Sequence, residues 1–382
     1  MVRKLRILSV QDGQMAAYHG PRSSRHAIER RRYLPLEKIY RPLSGGKLMN
    51  PVPLKPFDVV HAWRRVPVGP TPFIVGFEWH LPLSWEHQPK SFSLLMERLL
   101  SPQCRKVVAI SKGAAAATLH RHENHPCVDV LRAKMTVRAP NLPIPEIQDS
   151  FDPAAGLDEL RLLFVGNHFA RKGGCVAVRL AEKARAAGLP VHITIVSSIE
   201  CGAGIWTDPT RAEFFEPYRK LLNQPNVTVL APQGHARIVE LIGQSHLTLT
   251  PTLDDRFDST IVEGMARYTP AIVTASSCFP EFIDKRNGVL LPLDVGCQGD
   301  WRGVERTDRH TPAFEAMFAD TIDQLADHAL AACAGLLDDP RKLAAMRQAA
   351  RRTAEEKFDA VEAARFWDGL YEEAVADAAA FA

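Results

Sequence analysis

Short apolar runs alternate with segments of helical spacing along most of the chain. In the second half the clearest runs are residues 161–166, 191–196, 227–230 and 246–250, and a stretch of helical periodicity separates each run from the next. A strand buried in a parallel sheet is a continuous apolar run, and the helices between strands cover the two faces of the sheet. The alternation therefore predicts an α/β fold built on parallel sheets.

The same alternation occurs in the first part of the chain, with apolar runs at 57–62 and 106–110. Between the two regions, residues 139–156 are rich in proline and acid and lack periodicity, which is typical of an interdomain linker. We therefore predict two Rossmann-like, doubly wound domains that face each other across a cleft, over residues 1–145 and 157–359.

The composition is that of a globular protein with two domains. The chain has 382 residues, of which 46% are hydrophobic and 24% charged. No run of 18 apolar residues occurs, so no membrane span is expected, and the N-terminal apolar stretch is short enough to be a first strand and not a signal peptide. The seven cysteines are scattered without a C-x-x-C pair, which favours reduced thiols in the cytoplasm over disulfides or a zinc site.

Positive charge is concentrated near the N-terminus, although the net charge of the chain is only +3. The first sixty residues contain twelve Lys and Arg and four Asp and Glu. Two interpretations stay open: a solvated basic loop, or a peripheral contact of residues 3–55 with an anionic membrane or a phosphorylated acceptor. Nucleic acid is not expected as a partner, because no aromatic residues alternate with these basic ones.

Four carboxylates lie in and after the loop that follows the run at 246–250. Asp254, Asp255 and Asp258 are in the loop, and Glu263 is one to two turns into the predicted helix after it. Open α/β sheets bind ligands at the carboxyl ends of their strands, where loops meet helix N-termini. Carboxylates only accept hydrogen bonds, so the position suits a ligand rich in hydroxyl groups, although aspartates there also cap a helix.

A second loop of this kind follows the run at 161–166. Arg171 and Lys172 stand directly before Gly173 and Gly174 at the start of a predicted helix. Glycines let the backbone approach a ligand closely, and the N–H groups of a helix N-terminus favour phosphate oxygens. Two cations in this place could neutralise a diphosphate leaving group. The loop is not G-x-G-x-x-G, so a dinucleotide redox site is not expected.

In their order and spacing, the motifs of the second half resemble glycosyltransferase family 4, which has the GT-B fold of two Rossmann-like domains. The elements that carry the resemblance span residues 161–291 and are Gly166, Lys172-Gly173, Pro251, Glu263-Gly-Met-Ala, Pro280-Glu281-Phe-Ile and Asn287-Gly288. The N-terminal half matches the family more loosely. The terminal segment 360–382, with Trp367, is similar to the family's helix that packs back on the first domain.

The resemblance implies roles for the residues that would hold the nucleotide. Glu263 would accept hydrogen bonds from the ribose, and Arg171 and Lys172 would hold the diphosphate and stabilise its charge as it leaves. The further donor-binding residues that the match implies are Gly166, Gly173, Asp258, Thr260 and Glu281.

The resemblance also implies contacts with the donor sugar. Asp255 would contact its hydroxyl groups, and Asp254 or Asp258 could serve instead, while His80 would reach the sugar from the first domain. The sequence departs from the family where Arg256-Phe257-Asp258 replaces Gly-Phe-Gly, which restricts close approach of the backbone to a ligand.

The function implied by the resemblance is that of a retaining glycosyltransferase of the hexosyltransferase type, without a metal or another cofactor. The donor would be a nucleotide-diphosphate sugar. The acceptor would be a saccharide or a lipid-linked saccharide at the inner membrane face, in bacterial cell-surface polysaccharide or glycolipid biosynthesis. Two alternatives stay open: a sugar-nucleotide epimerase or hydrolase on the same fold, and a non-catalytic binding or scaffold protein, which the lost glycines would favour.

Overall fold

The structure is a computed structural model, and it describes residues 3–10, 18–31, 33–34, 46–49, 56–82, 89–296 and 298–379. The chain divides into two compact units. Unit 1 is Met1–Pro143 together with Lys357–Ala382, and unit 2 is Ile144–Glu356. Each unit contains a six-stranded parallel sheet with interleaved helices, so the predicted α/β fold is confirmed.

The sheet of unit 1 has the strand order β2-β1-β5-β7-β8-β9, and all its strands are parallel. Its strands are β1 (Arg6–Val10), β2 (Ala27–Arg31), β5 (Val59–Trp63), β7 (Phe73–Phe77), β8 (Cys104–Ala109) and β9 (Met135–Val137). A second, three-stranded sheet consists of β3 (Tyr33–Leu34), β4 (Gly46–Met49) and β6 (Val66–Pro67). The helices of this part are α1 (Pro89–Leu100), α2 (Lys112–Arg121) and α3 (Val128–Lys134).

The edge strand β2 corrects an expectation from the sequence. The low periodicity and the prolines of residues 15–56 predict loops and one helix, whereas Ala27–Arg31 pairs in parallel with β1. An edge strand has a neighbour on one side only, and charged side chains are common there because they discourage pairing with other chains. Only the first two residues of Ala-Ile-Glu-Arg-Arg are apolar, so β2 lacks the continuous apolar run by which the central strands were found.

The sheet of unit 2 has the order β12-β11-β10-β13-β14-β15 and is parallel throughout. Its strands are β10 (Leu160–Val165), β11 (Val191–Val196), β12 (Val227–Leu230), β13 (Leu247–Thr250), β14 (Ala271–Thr274) and β15 (Gly288–Leu291). The helices are α4 (Gly174–Ala186), α5 (Glu216–Lys220), α6 (His235–Gln244), α7 (Ser259–Met265), α8 (Pro312–Asp338) and α9 (Pro340–Phe358). The helical spacing of residues 210–222 predicts one helix, whereas the structure has a 3-10 turn, Ala212–Phe215, followed by the short α5.

Helices cover both faces of this sheet, and the alternating side chains of β10 show which helices lie on which face. Leu162 and Phe164 belong to the core that includes residues of α4 and α8. Leu163 packs instead with Ile238 and Ile242 of α6. Successive side chains of a strand point to opposite faces, so α4 and α8 cover one face and α6 the other.

Residues 144–156 cluster with unit 2, although their composition is that of a linker. The buried guanidinium of Arg347 donates to the Asp149 carboxylate at 2.6 Å and lies 5.3 Å from the centre of the Phe151 ring. A charge pair of this kind can be buried because each member offsets the desolvation of the other.

The terminal helix α10 (Ala360–Ala379) packs on the sheet of unit 1. Trp367 and Tyr371 are buried in one cluster with Ile7 and Val59, and the Tyr371 hydroxyl lies 2.7 Å from Nδ1 of His61. Within the described part of the chain no helix has both the length and the apolar character needed to cross a membrane.

Trp367→Ala should destabilise unit 1. Removing a buried indole leaves a cavity and costs about 3–5 kcal/mol. We expect a correspondingly lower free energy of unfolding in urea, followed by circular dichroism. Val361→Ala is the control, because Val361 lies on the same helix but is exposed, and its effect should stay within about 0.5 kcal/mol. Equal effects of the two substitutions would contradict the packing described here.

Candidate functional site

The site lies where the strand order of unit 2 reverses. From β10 the chain continues to β11 and β12 on one side and returns to β13 on the other side of β10. The loops after β10 and β13 therefore leave adjacent strands at the carboxyl edge of the sheet and diverge, which is the ligand-binding position of doubly wound folds.

One glycine allows the two loops to come together, and a second allows the first loop to fold. Gly173 has φ of 94°, and a Cβ there would lie 2.3 Å from the carbonyl oxygen of Pro251 in the other loop, so a side chain at 173 would force the loops apart. A Cβ on Gly166 would lie 2.8 Å from Cβ of Lys172, which is in the same loop, so a side chain at 166 would distort that loop. The structure thus gives the predicted donor-binding glycines a packing role.

Arg171 is buried and held from three directions. Its guanidinium donates to the Asp254 carbonyl and, at 3.2 Å, to Nδ1 of His168. It also lies 4.9 Å from the centre of the Trp206 ring, as a cation–π contact. The guanidinium is therefore preorganised at the edge of the sheet.

Lys172 contacts two of the other predicted residues. Its ammonium donates to the carboxylate of Asp255 and, at 2.9 Å, to that of Asp258. Burial lowers the pKa of Lys172, but the two carboxylates more than offset this effect, so its pKa is raised and the ammonium stays charged. Burial raises the pKa of Asp255, whereas Lys172 and the Thr260 N–H keep that of Asp258 low.

Asp258 is also the N-cap of α7, where it accepts the Thr260 N–H at 2.8 Å. The structure therefore gives Asp258 and Thr260 a capping contact with each other, which is the alternative that the sequence left open. Asp255 makes no such cap, and this distinguishes it from Asp258 as a candidate ligand for a sugar.

Glu263 is buried in α7 and accepts a hydrogen bond from Nε2 of His235 at 2.8 Å. The side chain of His235, at the start of α6, is 66% exposed. Sequence reasoning missed His235. The available signal was its place after Gly234 at the start of a helix that follows a strand, the rule by which Arg171 was found.

A buried carboxyl pair lies beneath Trp206 and was also missed. Asp254 accepts from Nε1 of Trp206 at 2.5 Å, and Asp300 accepts from Arg256. Oδ1 of each carboxyl group has no donor among the described residues. Burial raises the pKa of Asp300, and Asp254 lies close enough to raise it further. Arg256, which replaces a family glycine, is thus part of the buried framework.

Glu281 and His80 are the two remaining predicted residues. Glu281 ends a 3-10 turn, Phe279–Glu281, is half-buried, and lies near enough to Cys278 to raise the pKa of that thiol. Cys278 in turn donates to the Arg256 carbonyl at 2.9 Å, so Glu281 lies beside the loop of Asp255. His80 is half-buried in unit 1, three residues after the end of β7, and its role stays a prediction.

Comparison with solved structures gives similar folds at low sequence identity. A glycosyltransferase from Rickettsia africae has a TM-score of 0.57 and 15% identity, covering 97% of this chain and 99% of that one. HepE of Anabaena, solved in complex with UDP, has a TM-score of 0.57 and 12% identity, covering 95% and 98%. The complex of HepE with UDP-glucose has a TM-score of 0.55 and 11% identity, covering 96% of this chain and 98% of that one.

These similarities define the class of the fold: the chain has the two-domain α/β fold of the GT-B class, as the sequence predicted. Residues 146–293, which form most of unit 2 and include the residues just described except Asp300 and His80, match the model of the family described as glycosyl transferases group 1. No curated protein sequence matches the chain.

Asp300→Asn should change how stability depends on pH. Burial raises the pKa of Asp300 to about 7, and Asp254 contributes to the increase. In the folded wild type Asp300 keeps a proton that it releases near its ordinary pKa in the unfolded chain. Its contribution to the free energy of unfolding therefore falls as the pH rises from about 4 to about 7. Asparagine can still accept the hydrogen bond from Arg256 and has no proton to lose.

We therefore expect the free energy of unfolding of Asp300→Asn, relative to wild type, to rise by at least about 1 kcal/mol between pH 5 and pH 8. Urea unfolding at each pH measures it. Asp323→Asn is the control, because Asp323 pairs with Arg179 and Lys183 at the surface and its pKa is lowered. The free energy of unfolding of this variant, relative to wild type, should therefore be constant between pH 5 and pH 8. A constant difference for Asp300→Asn would contradict the raised pKa of Asp300.

Proposed function

We propose that this protein is a glycosyltransferase that moves a sugar from a nucleotide-diphosphate sugar to a hydroxyl acceptor. The observation that carries the proposal is the arrangement of Arg171, Asp255 and Glu263 at the switch point of unit 2, inside the segment that matches group 1 glycosyl transferases. The complexes of HepE with UDP and UDP-glucose support a nucleotide-sugar donor.

In this proposal the nucleotide binds along the carboxyl edge of the sheet. Glu263, oriented by His235, accepts hydrogen bonds from the ribose. Arg171 and the N–H groups at the start of α4 receive the diphosphate, because Gly173 provides no side-chain cap there. Asp255 accepts hydrogen bonds from sugar hydroxyls, with His80 of unit 1 as a further sugar contact.

The chemical step breaks the bond between the anomeric carbon and a diphosphate oxygen. The acceptor oxygen forms the new bond to that carbon, and its hydroxyl proton passes to the departing diphosphate. Negative charge develops on the departing diphosphate, and the fixed guanidinium of Arg171 stabilises it without reorganisation. Lys172 acts mainly through position, since its charge is matched by Asp255 and Asp258. We propose membership of family 4, a retaining hexosyltransferase reaction and no requirement for a metal, and we assign no nucleophile.

We further propose a saccharide or lipid-linked acceptor, in cell-surface polysaccharide or glycolipid biosynthesis, for a cytoplasmic protein in peripheral contact with the inner membrane face. The exposed residues Arg22, Arg25 and Arg30 support an anionic partner. Much of the basic stretch over 3–55, including Arg32, Lys38, Arg41 and Lys55, lies outside the described residues.

The first test is thermal stability with UDP, GDP, ADP, CDP or dTDP. A ligand at about 100 times its Kd adds roughly 2.7 kcal/mol, and one of the five should therefore raise the Tm of the wild type clearly. Glu263→Gln should weaken binding of that nucleotide about 10–150-fold, because a neutral amide oxygen replaces the charged acceptor of the ribose hydroxyls. Glu240→Gln, on the exposed face of α6, is the matched control and should bind like wild type.

The alternatives give different results in the same system. A scaffold protein would bind none of the diphosphates, or would bind one without turnover of its sugar ester. An epimerase or hydrolase would produce epimer or free sugar without an acceptor, which product analysis by chromatography detects. A glycosyltransferase would consume the sugar nucleotide and form a product only when a saccharide acceptor is present.

A second prediction separates phosphate binding from ribose binding. Arg171→Ala should lower the affinity for the nucleoside diphosphate about 10–150-fold and leave the affinity for the parent nucleoside unchanged, because only the diphosphate contacts the guanidinium. Glu263→Gln should weaken both ligands by similar factors. Isothermal titration measures the affinities, and Arg211→Ala, which removes an exposed guanidinium paired with Glu315, is the control. Equal effects of Arg171→Ala on both ligands would contradict the assignment.

A further inference from the structure

The loop that carries Trp206 is clamped to the body of unit 2. Asp208 is fully buried and accepts from the Gly202 N–H at 3.0 Å and from the Thr207 hydroxyl at 2.7 Å. Arg309 donates to the carbonyl of Ile205 and, at 2.7 Å, to that of Asp208. Side chains held in this way keep a neighbouring residue in a fixed position.

The indole itself is fixed but not covered. Its Nε1 donates to Asp254 at 2.5 Å, Arg171 lies 4.9 Å from the ring centre, and His168 meets it edge to face at 6.2 Å. Trp206 is nevertheless 42% exposed. A rigid aromatic surface beside a preorganised guanidinium is therefore presented to solvent, which is a common feature of ligand sites.

The two ends of the site lie on opposite sides of the sheet. Glu263 and His235 belong to α7 and α6, on the face that α6 covers. The Trp206 loop leads into Phe215, which packs in the core of the α4 and α8 face. The loop after β13 connects the two ends, since Asp254 bonds to Trp206 and Asp258 starts α7.

We propose that Trp206 binds the sugar ring of the donor, with an apolar C–H face of the ring stacked on the exposed indole. The inference rests on the proposed function: with the ribose at Glu263 and the diphosphate at Arg171, the group beyond the diphosphate extends toward Trp206. A nucleobase would also stack on an indole, but it is attached to the ribose and lies at the other end. Asp255, between the two ends, is placed to accept from the ring hydroxyls.

The test compares each nucleoside diphosphate with its sugar ester in wild type, Trp206→Leu and Trp206→Phe. The probes are UDP and UDP-glucose, GDP and GDP-mannose, ADP and ADP-glucose, and dTDP and dTDP-glucose, measured by isothermal titration. Trp206→Leu should weaken binding of the sugar nucleotide about fivefold, which corresponds to about 1 kcal/mol for the lost aromatic stacking contact, and should leave the affinity for the diphosphate within about twofold of wild type.

Trp206→Phe keeps an aromatic face, so its affinity for the sugar nucleotide should fall by less than about threefold. This variant keeps the test valid if Trp206→Leu does not fold. Val229→Ala, another exposed apolar residue of unit 2, is the control and should bind both ligands like wild type. Equal losses for diphosphate and sugar ester in Trp206→Leu, or no loss for either, overturn the inference alone. If no diphosphate binds the wild type, the proposed function fails and the inference fails with it.

Discussion

The contact between Gly173 and Pro251 is the constraint on which the rest of the site depends. It lets the loops after β10 and β13 touch, and two hydrogen bonds to the Arg171 carbonyl then tie them together, from the Leu253 N–H at 2.9 Å and the Thr252 hydroxyl at 3.0 Å. The side chains of Arg171 and Lys172 are consequently fixed against the aspartates of the second loop. Any Cβ at 173 would separate the loops and with them the cations and carboxylates.

The features that follow from local order could be predicted from the sequence. Strand, loop and helix start occur within a dozen residues of one another around Gly166 and Gly173, and the apolar runs that surround them are buried strands. The fold class and the neighbourhood of Lys172, Asp255 and Asp258 followed from these short patterns. The capping role of Asp258 was likewise visible as an alternative, because a cap depends only on the next few residues.

The remaining contacts were missed because a local pattern can place a residue at the edge of the sheet, as it did for Lys172 and could have done for His235, but it does not identify the partner of that residue. Trp206 and Asp254 are 48 positions apart, Arg256 and Asp300 are 44 apart, and His235 and Glu263 are 28 apart. Arg256 shows the consequence most clearly. From the sequence it was a departure from a glycine that restricts ligand approach, whereas in the fold it is a buried counter-ion of Asp300. The edge strand β2 was missed for the related reason that its evidence is the pairing with β1.

The charges around the two loops balance, and this explains how the cluster can be buried. Three cations, Arg171, Lys172 and Arg256, lie among the four carboxyl groups of Asp254, Asp255, Asp258 and Asp300. Burial raises the pKa of Asp300 to about 7, so the opposite charges of the cluster nearly cancel. A neutral cluster avoids the desolvation cost of an unpaired buried charge, but it generates little long-range attraction for an anion. In the proposed function, selectivity for a diphosphate therefore arises at contact, from the fixed position of Arg171 and the N–H groups of α4. This agrees with a chain whose net charge is only +3 and whose excess of positive charge lies in a different unit.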